Sequence, residues 1–448
     1  MDTQFKEPQE LDDQQRLARE YALSESARYA GGNRRPPKKG PGFGMGVLIG
    51  CACTLLAVTV LLLGGWTIMH SVSSVTEVKE EETSEGTKEA VTDRSVEEKA
   101  GQLADLIDQY YYENIDEDAM VEGMYAGMTE GLGDPYSAYF SAEEYASFNE
   151  STTGVYYGIG TVLTQDVKTK VVTILHVYPG TPAEEAGIRD GDVIAKVDDI
   201  AGDSMELSEL TTHIKGQEGT TVHIEVIRQG ENDYLGFDVE RRQIEVPTVE
   251  YEMLEGNVGY IQVTEFSTAT PEQFDEAIEN LQGQGMVSMI VDLRDNPGGV
   301  LQSVCDMLDK LLPEGLLVYT EDKYGNRSDY KSDAQCMDIP MAVLINGNSA
   351  SASEIFAGAI KDYKYGTLIG TTSFGKGIVQ TIIPLSDGSA IKLTMAKYFT
   401  PKGNYIHEVG ISPDIELEYE YLNEEDEIYN PMHDNQVQKA LEVLGQKD

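Results

Sequence analysis

The sequence predicts a mixed α/β protein held on a membrane anchor. Three stretches predict this: an uncharged apolar run at residues 47–69, a series of short β-branched strands at 154–243, and alternating strands and helices at 244–420. The first is long enough to cross a bilayer as a helix. The second has the size and pattern of one barrel-like β module with two short helices. The third implies a layered core of helices on a sheet. With 448 residues, 40% hydrophobic and 25% charged, the chain can build several folded parts.

Residues 1–46 are polar, poor in aliphatics and end in Gly and Pro, so they read as a disordered cytoplasmic tail. The run "VLIGCACTLLAVTVLLLGGWTIM" follows, with Trp66 near one end, where an indole favours the interface. Arg34, Arg35, Lys38 and Lys39 precede it; Glu77, Glu80, Glu81 and Glu82 follow it. Basic flanks stay inside, which predicts a single-pass cell-membrane protein, N-terminus cytoplasmic and the remainder extracytoplasmic. No A-x-A site closes the run, and the cysteine of "LIGC" precedes the apolar stretch instead of ending it. An uncleaved anchor is therefore expected.

Residues 70–95, rich in Ser, Thr, Glu and Val, read as a linker. Residues 96–153 are helical in pattern: Leu103, Leu106, Ile107 and Tyr110 recur at helix spacing. "GLGDPYSAYFSAEEYASF" then reads as a Gly-Pro turn and a helix, with Ser141 as cap and Glu144 three residues on. In the β module, "GIGTVLTQ", "VVTILHV", "DVIAKVD", "TVHIEVIR" and "YLGFDVERR" are strands, while "TPAEEAGI" and "ELSELTTHIKG" are helices. In the α/β core, "VGYIQVTEF", "VSMIVD" and "MAVLING" are strands. "TPEQFDEAIENLQGQG", capped by Thr270 with Pro271 first, "VLQSVCDMLDKLL" and "SASEIFAGAIKDY" are helices. Residues 421–448 close as a helical tail with Val437, Leu441 and Leu444 on one side.

Composition excludes some classes. A net charge of −45 opposes nucleic acid as a partner, which needs clustered Lys and Arg; its plain meaning is solubility. The histidines are scattered and neither C-x-x-C nor H-E-x-x-H occurs, so no metal or cofactor is expected. Cys305 and Cys336 lie where a disulfide is chemically permitted, but their spacing does not require one.

"GTTSFGKG" at 370–377 is one letter from a phosphate loop. Such a loop opens a helix whose N-terminus holds the anion. Here Ile378, Val379, Thr381, Ile382 and Ile383 are β-branched, and Pro384 blocks a helix. A strand is predicted instead, and Gly377 lacks the hydroxyl that would hold Mg²⁺. Lys376 and Gln380, an even offset apart, are expected on one face of that strand. A buried lysine loses proton affinity and can act as a base. The candidate nucleophile lies in "NSASASEIF", where Ser349, Ser351 and Ser353 alternate with alanine at a helix start. Free N–H groups there could stabilise an anion. The same letters, Ser351 with Glu354, equally form an ordinary capping box, and the pattern alone leaves both readings open.

Together "NSASASEIFAGAIKDY", "GTTSFGKGIVQ", "VDLRDNPGG" and "GISPDIELE" resemble the C-terminal processing (tail-specific) peptidases, over about residues 96–420. The resemblance implies a serine peptidase core with Ser351 as nucleophile, Lys376 as general base and Gln380 supporting the lysine. Asp362 is a secondary candidate. The backbone N–H of Ala352 and that of Gly298 or Gly299 would hold the oxyanion. It also implies a PDZ domain at 154–243, where "VYPGTPAEEAGIRDGDVIAKVDD" is a specific match and "YYGIGTVL" stands at the carboxylate-binding loop. Tyr157, Gly158, Ile159 and Gly160 are then the peptide-carboxylate residues, and the partner is a protein or peptide C-terminus. A homo-oligomer is compatible with this. Two other readings fit the residues. One is a Ser-His-Asp peptidase using His407; the other is an inactive PDZ scaffold that only binds tails.

Overall fold

The computed structural model describes residue 91 and residues 93–423, 426 and 428–445. The predicted cytoplasmic tail, the predicted membrane span at 47–69 and nearly all of the linker lie outside the described residues. Among the described residues, no helix is long and apolar enough to cross a membrane. The chain divides into two compact units, one over residues 36–124 and one that includes residues 125–448.

Helix α1 (Arg94–Tyr110) is capped by Asp93, whose carboxylate accepts the Ser95 N–H at 2.8 Å. Helix α2 (Glu117–Glu130) follows. Strand β1 (Ala138–Phe140) leads to α3 (Ala142–Thr153). Its predicted cap is present: Ser141 N–H donates to Glu144 Oε2 at 2.9 Å, and Glu144 N–H donates back to Ser141 Oγ at 3.3 Å.

The small β module comprises β2 (Val155–Gly158), β3 (Thr161–Gln165), β4 (Val172–Val177), α4 (Pro182–Ala186), β5 (Val193–Val197), β6 (Ile200–Ala201), α5 (Leu207–Ile214), β7 (Thr221–Ile227), β8 (Leu235–Glu240) and β9 (Arg242–Glu245). Sequence alternation sets its core: Val222, Ile224 and Val226 of β7 are all fully buried, while the residues between them are not. Leu210 and Ile214, four apart on α5, seal the same core. The sheet runs β3-β4-β5-β7-β8, so β3 is an edge strand.

The α/β core comprises β10 (Val249–Leu254), β11 (Val258–Val263), α6 (Thr270–Gly283), β12 (Ser288–Asp292), α7 (Leu301–Leu311), β13 (Gly315–Asp322), β14 (Arg327–Ser332), β15 (Met341–Ile345), α8 (Ala352–Tyr363), β16 (Gly366–Gly370), β17 (Ile378–Pro384), β18 (Ala390–Phe399), β19 (Ile415–Glu416) and α9 (Asn435–Gly445). The main sheet is ordered β10-β11-β12-β15-β16-β19, parallel except for β10. Its strands are apolar on both sides, as a sheet covered on both faces requires. Met289 and Val291 pack with α6, α7 and α8, while Ile290 between them packs with α9. A second, antiparallel sheet joins β18 to β1, β13 and β17.

One expectation about these elements needs correction. Thr270 is the first residue of α6, not its cap; its hydroxyl is buried and accepts the Ser267 N–H at 2.8 Å, which draws it into the helix. The segment 315–332 forms the β13–β14 hairpin. The C-terminal segment closes as the helix α9 that the sequence predicts. α9 covers the second face of the main sheet, and Asp434 accepts from Arg294 Nη1 at 2.7 Å and from the Tyr429 hydroxyl at 2.7 Å. Arg294 also grips the fully buried Asp292 through Nε at 2.9 and 3.0 Å, and Tyr260 donates to that carboxylate at 2.7 Å. Burial opposes the guanidinium charge, but the two carboxylates more than restore it. Cys305 and Cys336 are free thiols, and burial pushes the Cys305 thiol up to about 12.

Candidate active site

Three loops leave the C-terminal ends of β12, β15 and β16, which are parallel neighbours. They therefore gather at one edge of the sheet, where open α/β sheets form crevices. The loop after β15 carries the three alternating serines. Ser349 Oγ donates to the Leu293 carbonyl at 2.7 Å, and Ser353 Oγ donates to the Asn296 carbonyl at 2.9 Å. Both are fully buried and lash this loop to the one after β12. Only the middle serine, Ser351, lines the cleft described below. Its φ of 55° is a left-handed value that costs a non-glycine residue about 1–3 kcal/mol. Neighbours hold it there: its carbonyl accepts the Ile355 N–H at 3.0 Å and the Tyr398 hydroxyl at 3.1 Å.

The capping reading and the site reading meet in Glu354, which is fully buried. Its Oε2 accepts the N–H of Ser351 at 2.9 Å and that of Lys376 at 2.8 Å. Its Oε1 accepts the Ser373 hydroxyl at 2.6 Å and the Gly375 N–H at 2.7 Å. One carboxylate thus spans the serine turn and the lysine loop, and the sequence had offered it only as a cap.

Lys376 precedes β17, and the predicted strand does follow it. At Gly377, where a phosphate loop carries Ser or Thr, a Cβ would lie 2.6 Å from the His407 backbone nitrogen, so no side chain fits. The face argument for Lys376 and Gln380 needs amendment, because Lys376 is outside the strand and a bulge falls between Val379 and Gln380. Both nevertheless reach the same cleft. That cleft, of about 590 Å³, brings together Ser351, Ala352, Gly298, Gly299, Lys376 and Gln380. Burial holds the Lys376 amine below its ordinary range, and the neighbouring Lys392 adds to this; Asp134 and Glu354 pull the other way. Gln380 Nε2 donates to Thr394 Oγ1 at 3.4 Å, so its amide carbonyl remains for an amine.

The two glycines differ. Gly298 N–H donates to Asn296 Oδ1 at 2.8 Å and is already engaged. Among the described residues, no hydrogen bond from the N–H of Gly299 or of Ala352 is found, which leaves these two as donors toward the cleft. Asp362 does not line the cleft; its carboxylate accepts the Lys402 N–H at 2.8 Å, a loop contact. His407 does not line it either, and its Nδ1 accepts from Gly377 N–H at 3.4 Å. Among the described residues, no three His, Cys, Asp or Glu side chains converge as metal ligands would.

A second groove, of about 280 Å³, lies between edge strand β3 and helix α5, with Thr161, Val162 and Leu163 on one side and Thr211, Ile214 and Lys215 on the other. Of the four predicted carboxylate residues, Gly158 and Ile159 line it; Tyr157 and Gly160 do not. Tyr157 faces solvent because β2 alternates, and Tyr156 takes the inward place. Burial pushes the Tyr156 phenol up against the opposing pull of the Gly160 and Thr161 amides.

Residues 257–417 match peptidase family S41, residues 155–239 match the PDZ domain, and residues 58–144 match the N-terminal domain of the activating protease CtpB. The chain is 37% identical over 337 residues to the carboxy-terminal processing protease CtpA of Bacillus subtilis, covering 74% of this chain and 71% of that protein. It is 35% identical over 318 residues to the carboxyl-terminal-processing protease of Synechocystis, covering 70% and 74%. Among solved structures, the photosystem II D1 C-terminal processing protease is 30% identical, with coverage of 75% and 89% and a TM-score of 0.43.

Proposed function

Because this chain belongs to peptidase family S41, among the carboxy-terminal processing serine proteases, we propose that it captures protein C-termini in its PDZ domain and cuts them by Ser-Lys acyl transfer. The observation that carries this reading is the shared carboxylate of Glu354, which joins the backbones of Ser351 and Lys376 beside one cleft. Neutral Lys376 takes the proton from Ser351 Oγ as the oxygen attacks the scissile carbonyl. The Ala352 and Gly299 N–H groups receive the oxyanion. The Lys376 ammonium gives its proton to the leaving amine, and the carbon–nitrogen bond breaks to leave a serine ester. Water, deprotonated by the same amine, attacks that ester; the bond to Ser351 Oγ breaks to release the acid, and the ammonium returns its proton to Oγ. Gln380 accepts from the amine and orients it without adding charge. Edge strand β3 pairs with the extended tail, whose terminal carboxylate sits at the head of the β3–α5 groove.

The predicted span at 47–69 would hold the protease at the cell membrane with its catalytic part outside. The test uses the full chain and a quenched peptide ending in an apolar residue with a free carboxylate. Cleavage is expected, and Ser351→Ala should reduce it by about 10³-fold or more. Amidation of the peptide terminus should raise KM. Cleavage by Ser351→Ala at the parent rate would overturn the assignment.

Gly298→Ala tests the oxyanion geometry. At φ +102°, its new methyl would fall 2.7 Å from Ser351 Cβ and 2.9 Å from the Ala352 nitrogen. kcat should fall by about 10²-fold or more, with the fold intact by circular dichroism.

A further inference from the structure

The turn Gly133–Ser137 was legible only as a Gly-Pro turn, and the acyl-transfer scheme gives it no task. It leads into β1, which adds to β18 with Ala138 opposite Lys392 and Tyr139 opposite Ile391. β18 is also the partner of β17. The pairing sets the turn over the lysine loop, so that Lys376 Nζ lies 4.9 Å from the centre of the Tyr136 ring. Asp134 is fixed beside it: Oδ1 accepts the Tyr136 N–H at 3.0 Å and Oδ2 accepts the Ser137 hydroxyl at 2.6 Å. Ser137 Oγ in turn accepts the Thr394 N–H at 3.1 Å, and the Thr394 hydroxyl accepts from Gln380 Nε2 at 3.4 Å. A chain of hydrogen bonds therefore runs from Asp134 to Gln380, the residue assigned to orient the amine.

We propose that Asp134 and Tyr136, which precede the PDZ domain, are positioning residues for the Lys376 amine. The Tyr136 ring roofs the amine against water, and the Asp134 carboxylate sets its charge balance. The inference rests on Lys376 as the base. A roof removes hydration, which disfavours the ammonium, whereas the ring face and the carboxylate favour it. The other charged groups acting on the amine are Lys392 from β18, which favours the neutral form, and Glu354 from α8, which favours the ammonium. The His407 ring stands behind Tyr136, with centroids 6.5 Å apart. A base at this point must shed its proton near working pH yet hold one long enough to give it to the leaving group. Opposed influences from one turn serve that need.

The experiment is the pH dependence of kcat/KM for the full chain on the quenched peptide. Asp134→Asn removes a charge that favours the ammonium, so the acid limb should move down by about half to one pH unit. Tyr136→Ala lets water reach the amine, so the limb should move up by a similar amount, with about a tenfold lower rate on that limb. Tyr136→Phe keeps the ring and should return the parent profile. Unmoved limbs in Asp134→Asn and Tyr136→Ala, or shifts of the same sign, would overturn the inference. If Tyr136→Ala does not fold, Tyr136→Asn replaces it, since it too leaves no apolar cover over the amine. Lys376→Ala separates the two claims. If it stays active, the base assignment fails; if it is inactive while the limbs do not move, only the roof fails.

Discussion

Lys376→Arg is expected to cut kcat/KM by about 10³-fold, although it keeps the positive charge and most of the length. A guanidinium does not deprotonate in a protein, so it can neither take the Ser351 proton nor return one. The parent enzyme should show an acid limb set by an amine whose pKa lies below the ordinary lysine value, because burial and Lys392 disfavour its charge. The same shift fixes a stability effect. Where the folded pKa is depressed, the unfolded chain binds the proton more readily, so stability rises as pH climbs between the lowered and the ordinary values. Below that window the protonated amine is a cost to the fold. Lys376→Met should therefore raise the unfolding midpoint at neutral pH while abolishing hydrolysis. A Lys376→Arg enzyme with parental turnover, or a Lys376→Met protein that melts lower, would refute the account.

Glu354→Gln should have the second largest effect. The carboxylate accepts four hydrogen bonds, two on each oxygen, from Ser351, Lys376, Ser373 and Gly375. An amide has one acceptor oxygen; its NH₂ would point two donors at two donors. Hydrogen bonds to a buried charge are the strong ones, and orphaned donors cost about 1–3 kcal/mol each, so a loss of about 3 kcal/mol or more is expected. Activity should fall by about 10²-fold or more, because the bridge between the serine turn and the lysine loop is lost. Calorimetry and peptide cleavage would measure the two losses. A variant that loses activity but not stability would mean that Glu354 acts in the chemistry rather than as a brace.

Much of this arrangement could be read from the letters, for physical reasons. The strands of the β module announce themselves because one face is buried at every second residue, as at Val222, Ile224 and Val226. The strand after Lys376 was legible because five β-branched residues and a proline oppose a helix. What stayed hidden depends on distant parts meeting. Ser349, Ser351 and Ser353 are equivalent on paper; only contacts with Leu293 and Asn296 give the outer two another task. Glu354 looked like a cap because three of its four donors, at Ser373, Gly375 and Lys376, come from a loop distant in the chain. Tyr156 was missed for Tyr157 because one residue of register exchanges the two faces of a strand. Asp134 and Tyr136 are far from the lysine in the chain and reach it only through β18.

The clasp between Arg294 and Asp434 bears on synthesis. Arg294 is made 140 residues ahead of Asp434, and until the later segment docks, Asp292 is the carboxylate that holds the arginine. The loop that holds Gly298 and Gly299 follows that arginine, so it lacks this brace until the later segment docks. The glycine loop is therefore expected to be set late in folding, after a segment made much later has packed on the sheet.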